Sequence, residues 1–176
     1  MSSMRILGVD PGLTRCGFGV IDLSARIPQF VAVEVVRTAS VDQLPIRLQQ
    51  LDLALNVLLD KYQPDSVAIE RVFSQHNVRS AMDTASASAI VMLAATKRGL
   101  AVTTYTPTEV KAAVSGNGRA DKAQVTAMVT RILKLPEAPK PADAADALAI
   151  AICHAWRGIG QLRIAQAIAK QQEVVS

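Results

Sequence analysis

The chain has 176 residues, enough for one compact domain with a sizeable core. Half of them are apolar, and 19 basic residues against 15 acidic ones leave a net charge of only +4, which excludes an intrinsically disordered chain. Apolar runs break well short of the roughly 18–20 residues that a bilayer span requires, and no signal-peptide architecture opens the sequence, so a cytoplasmic protein is expected.

Met4 to Val9 is a short apolar run stopped by Asp10-Pro11-Gly12, which predicts a strand ended by a turn. Gly17 to Asp22 and Phe30 to Thr38 are strand-like as well, separated by a connection containing Pro28, and the three together suggest an antiparallel meander. Leu44, Leu48, Leu51, Leu55 and Leu58 recur at spacings of four and three, as on one face of a helix. Ser66 to Ile69 predicts a buried strand ending at Glu70. Helix formers then run from about Val78 to Arg98, with small side chains at Ala81, Ala85 and Ala89, and Gly99 ends them. That small-residue face suits either an intramolecular contact or close approach across a dimer.

Ala101 to Thr106 predicts a fifth strand, ended by Pro107, and Gly116-Asn117-Gly118 a turn. Asp121 with Gln124 has the pattern of a capping box, opening a helix that continues through Val125, Met128, Val129 and Ile132. Pro136, Pro139 and Pro141 lead stiffly into a last helix from Ala142 to about Trp156. Residues 1–157 are thus expected to form one domain, followed by a mildly basic tail, 158–176. The order of elements predicts an α/β fold: a mixed five-stranded sheet of the ribonuclease-H-like kind with helices on both faces.

In that topology Asp10 and Glu70 end parallel neighbouring strands at one edge of the sheet, where sites in open α/β sheets are found. Asp143 and Asp146, three residues apart, share a face of the last helix. Singly, each acid has a structural explanation: a turn residue at Asp10, a solvated strand end at Glu70, and complements to a helix dipole at Asp143 and Asp146. Together they repel one another unless a cation compensates. Oxygen-only ligation selects a hard ion, Mg²⁺ or Mn²⁺, and a pair of such ions ~3.5–4 Å apart suits phosphodiester cleavage. Asp10 is the expected bridge between them. Cys16 and Cys153 lack a CxxC partner and are expected to be buried thiols rather than zinc ligands.

Ile6-Leu7-Gly8-Val9-Asp10-Pro11-Gly12, Ala68-Ile69-Glu70-Arg71-Val72-Phe73 and Ala142-Asp143-Ala144-Ala145-Asp146-Ala147-Leu148-Ala149 closely resemble, in order and spacing, the motifs of the RuvC family. The resemblance covers nearly the whole chain to about residue 157. It implies a homodimeric, Mg²⁺-dependent endonuclease that makes paired symmetric nicks in four-way (Holliday) DNA junctions, with a branch-migration complex of RuvA and RuvB as partner. It implies Asp10, Glu70, Asp143 and Asp146 as the catalytic acids. Many relatives carry His in place of Asp143, which leaves that residue as ligand or as water-activating base.

The same resemblance implies that Phe73 stacks on an unpaired base, an interaction of ~1–3 kcal/mol, and that Lys111 and Lys122 approach phosphates near the scissile bond. Arg71, Arg79 and Arg119 are further candidates for contacts to the DNA backbone. His76 lies in the loop beside the expected site, and His154 is expected to be structural. An actin-like ATPase or sugar kinase shares the Asp10-Pro11-Gly12 turn but needs a second such domain. A YqgF-like RNA-processing nuclease fits the Phe73 loop and the final Asp pair less well, and a non-catalytic junction-binding module does not need all four acids.

Overall fold

A computed structural model of the chain describes residues 3–71, 77–158 and 160. β1 (Met4–Asp10), β2 (Arg15–Ser24) and β3 (Ile27–Arg37) form an antiparallel meander. The connection expected around Pro28 is a tighter hairpin: the chain reverses through Ala25 and Arg26, with φ of 50° and 68°, and Pro28 already pairs with Leu23 inside β3. A proline is tolerated there because β3 is the outer strand, where its missing N–H need not serve a ladder.

The chain continues through α1 (Leu44–Tyr62), β4 (Ser66–Glu70), α2 (Val78–Lys97), β5 (Ala101–Tyr105), α3 (Pro107–Ser115), α4 (Lys122–Ile132) and α5 (Ala142–Cys153), which runs on into one π-helical turn, His154–Gly158. Among the described residues the strands form one sheet in the order β3-β2-β1-β4-β5, with β4 parallel to both β1 and β5. This is the mixed ribonuclease-H-like sheet that the order of elements predicts. Alternation along the strands divides the core. Leu7, Val9, Phe18, Val20, Val67 and Ile69 meet α1 and α2 on one face. Ile6, Ile21, Leu23 and Ala68 meet α3, α4 and α5 on the other.

Two helices depart from expectation. α3 occupies a stretch between Pro107 and Gly116 to which the sequence pattern assigns no element. It opens on a capping box in which Thr106 accepts from the Glu109 N–H while the Glu109 carboxylate accepts from the Thr106 N–H, with Pro107 in the first turn. In α1 the buried face is Arg47, Leu51, Leu55, Leu58 and Leu59, and Leu44 is exposed. The inward position one turn before Leu51 thus belongs to an arginine.

α5 is buried over almost its whole length, between the sheet and α3 and α4. Its approach to the sheet depends on glycine. A Cβ on Gly8 would lie 2.2 Å from the Ala147 carbonyl oxygen, one on Gly17 2.5 Å from that of Asp143, and one on Gly19 2.6 Å from the Leu148 nitrogen. At the far end of α5, buried His154 bridges Tyr105 Oη (2.9 Å) and Ser66 Oγ (3.1 Å), a structural role. Cys16 and Cys153 are free and buried. Among the described residues no helix is long and apolar enough to cross a membrane. Phe73, His76 and most of the expected tail lie outside the described residues.

Candidate active site

Asp10 is the last residue of β1 and Glu70 the last of β4. The parallel register, which runs to Val9 opposite Ile69, carries both side chains to the same end of the sheet. Each stands two residues beyond a position on the α5 face, Gly8 and Ala68, so both point to the side that α5 covers. The glycine-bedded helix brings Asp143 and Asp146 to the same place: carboxylate oxygens of Asp10, Asp143 and Asp146 lie within 4.8 Å of one another. Glu70 stands outside this tight group but lines the same cleft, about 220 Å³ in volume, with Asp10, Lys111, Lys122 and Asp146.

The electrostatics are those of crowded, partly desolvated acids. Burial first, then the charges of Glu70, Asp146 and Asp143, push the Asp10 carboxyl up to about 8, with Lys122 opposing. Glu70 is raised by burial and by Asp146, against the pull of Lys111 and Lys122. The donor set is entirely carboxylate oxygen, and its members disfavour one another's ionisation, so a hard divalent cation fits it chemically.

Two lysines flank the acids. Lys122 Nζ lies 2.9 Å from Asp146 Oδ2, and this bond holds the ammonium above its usual range. Lys122 begins α4 directly after Asp121, whose reciprocal hydrogen bonds with Gln124 fix the helix start. Lys111 enters the cleft from α3, whose start the Thr106–Glu109 box fixes in the same way. The other basic candidates stand outside the described lining. Arg71 is exposed beside Glu70 and donates to Thr104 Oγ1 at 3.3 Å. Arg79 is exposed in the first turn of α2, and Arg119 is exposed in the turn before α4, its backbone N–H held by Asn117 Oδ1. Sequence reasoning missed Arg15, whose Nη1 lies 4.0 Å from Asp143 Oδ2.

A family model described as crossover junction endodeoxyribonuclease RuvC matches residues 6–154. The crossover junction endodeoxyribonuclease RuvC of Salinispora arenicola is 59% identical over 165 residues, covering 93% of this chain and 94% of the relative. That of Rhodococcus jostii is 60% identical over 173 residues, covering 97% and 92%. Among solved structures, T. thermophilus RuvC in complex with Holliday junction substrate superposes with a TM-score of 0.83 at 36% identity, covering 88% of this chain and 94% of that one.

Proposed function

The chain belongs to the RuvC family, and from that premise we propose that it is a Holliday-junction resolvase, nicking two strands of a four-way DNA junction in recombination and repair. The observation that carries the reading is the gathering of Asp10, Asp143 and Asp146 within 4.8 Å, beside Glu70 in a cleft lined by lysines. We assign these four acids as ligands of Mg²⁺, with Mn²⁺ as a substitute and two ions per site. Held there, they would supply an activated water for attack on a phosphodiester and charge stabilisation at the leaving oxygen.

The chain's own groups position and neutralise. Lys122 compensates Asp146 in the metal-free protein. A cation held by Asp146 would leave the exposed Lys122 ammonium free to meet a backbone phosphate, and Lys111 offers a second positive charge on the Glu70 side. Arg71, Arg79, Arg119 and Phe73 are proposed as further contacts to the DNA.

A homodimer is supported by α2, which leaves Val78, Met82, Ala85, Ala89 and Leu93 exposed along one face at spacings of three and four. A second copy would cover that stripe and supply the second cut. Cytoplasmic residence and cooperation with RuvA and RuvB follow from the same reading.

The test is to incubate the protein with a synthetic four-way junction, a linear duplex and an RNA of matching sequence, with Mg²⁺ or chelator. Paired, symmetric, metal-dependent nicks on the junction alone support the reading. Tight binding without cleavage supports a binding module, and cleavage of RNA alone an RNA-processing nuclease.

A further inference from the structure

The β2–β3 hairpin places Arg15 directly opposite Arg37, and both side chains are exposed. Alternation puts Arg15 on the face of Gly17 and Gly19, the α5 side, and its cross-strand partner Arg37 on that face too. Like charges directly opposite in an antiparallel pair are unfavourable. Here the pair stands at the end of the sheet that carries Asp10, on the side away from β4 and β5. Among the described residues Arg15 meets one carboxylate, Asp143, at 4.0 Å.

The backbone beneath the two arginines is held by a buried network. Arg47, 8% exposed, donates from Nε to Thr38 Oγ1 and from Nη2 to Thr14 Oγ1, both at 2.9 Å. Thr38 Oγ1 in turn donates to the Leu13 carbonyl, and the Thr38 N–H to the Thr14 carbonyl. Thr14 and Thr38 are the chain neighbours of Arg15 and Arg37. A third guanidinium, bonded to neutral hydroxyls, thus fixes the strand ends from which the first two project. The arrangement concentrates positive charge on exposed, forked donors suited to phosphate.

We infer that Arg15 and Arg37 form a phosphate-binding pair for the nucleic-acid backbone, on the flank of the carboxylate site opposite Lys111 and Lys122. The cut strand is then held on both sides of the acids, by lysines toward β5 and by arginines toward β3. At 4.0 Å the contact of the exposed Arg15 side chain with Asp143 is a loose one, so the guanidinium can turn to the strand without a metal at the site. The assignment rests on the nuclease reading above for its ligand.

The test is fluorescence anisotropy of a labelled four-way junction and of a linear duplex, in chelator, across a KCl series. It compares wild type, Arg15→Gln, Arg37→Gln, the double Gln variant and the double Lys variant. Each phosphate contact contributes about 0.9 to the slope of log K against log salt, so each single Gln variant should be shallower by about 0.9 and the double by about 1.8. The double Lys variant should recover most of that slope. A double Gln variant with the wild-type slope on both DNAs, or a double Lys variant as shallow as the double Gln one, overturns the assignment. Wild type binding junction no better than duplex counts against the resolvase reading instead, while the slope difference on duplex still decides the arginine pair.

Discussion

Gly8 lies directly beneath Ala147: a Cβ on Gly8 would stand 2.2 Å from the Ala147 carbonyl oxygen and 2.6 Å from the Ala151 nitrogen. Both atoms are helix backbone, which cannot swing aside as a side chain can. Gly8→Ala should therefore lift α5 off β1, with a cost at or above the ~1–3 kcal/mol of ordinary overpacking. Because Asp146 precedes Ala147, the same displacement should weaken cation binding. Urea unfolding and a Mn²⁺ titration check the two effects. A variant as stable as wild type would contradict the close helix–sheet contact.

Lys122 should matter more to cutting than to folding. Its ammonium is largely exposed and bonded to Asp146 at 2.9 Å, so its ion pair contributes little to stability. Lys122→Ala should keep the melting temperature within a few degrees. Single-turnover cleavage should fall by about 10²–10³-fold, the range for removing a group that stabilises developing charge. A cleavage rate within twofold of wild type would assign Lys122 to surface solvation alone.

The acid cluster predicts an unusual pH dependence in chelator. Asp10 keeps its proton in the folded protein up to about 8, against an ordinary value of 3.8, so the folded state binds more protons than the unfolded one across that window. Stability from this group is complete below pH 3.8 and is lost as pH rises through about 8. The raised Glu70 acts in the same direction. Melting temperature in chelator should fall as pH rises from about 4 to about 8 and level off above it, and Asp10→Asn should flatten that fall. Excess Mg²⁺ should remove it, since a cation favours the ionised acids. A flat chelator curve in wild type would contradict the crowding.

The exposed stripe on α2 predicts an interface. Met82 and Leu93 are 64% and 53% exposed, so charging them leaves the core of each protomer untouched. Met82→Glu with Leu93→Glu should convert a dimer to a folded monomer in sedimentation velocity. A wild-type protein that is monomeric at micromolar concentration would remove the basis for the proposed dimer.

The strand ends that carry Asp10 and Glu70 are legible in the sequence because each acid closes a short apolar run at a break in pattern. Parallel pairing of β1 with β4 follows from the order of elements. The seating of α5 is not legible in the same way. It depends on Gly8, Gly17 and Gly19 sharing one face across two strands, which appears only once the β1–β2 register places Gly8 opposite Gly19. α3 had a local signal, Thr106-Pro107-Thr108-Glu109, whose capping pattern is as clear as that of Asp121 and Gln124. The Arg15–Arg37 pairing was hidden by reading Pro28 as a connection. The two-residue turn at Ala25 and Arg26 sets the register near the hairpin, and the irregularity between Val20 and Ile21 shifts it farther along. Arg47 was hidden because a heptad of leucines suggests apolar neighbours on every inward position.

The most direct test of the central claim is single-turnover cleavage of a four-way junction in Mg²⁺ by wild type and by Asp10→Asn, with junction affinity measured on the same samples. Asp10→Asn removes one charge from the acid cluster while keeping its shape. Cleavage should fall by at least about 100-fold, the upper end for losing even an outer partner of a metal ligand. Junction binding should be unchanged or tighter, because less negative charge faces the DNA. An Asp10→Asn protein that cuts at the wild-type rate would contradict the assignment of the carboxylate cluster as the cutting centre.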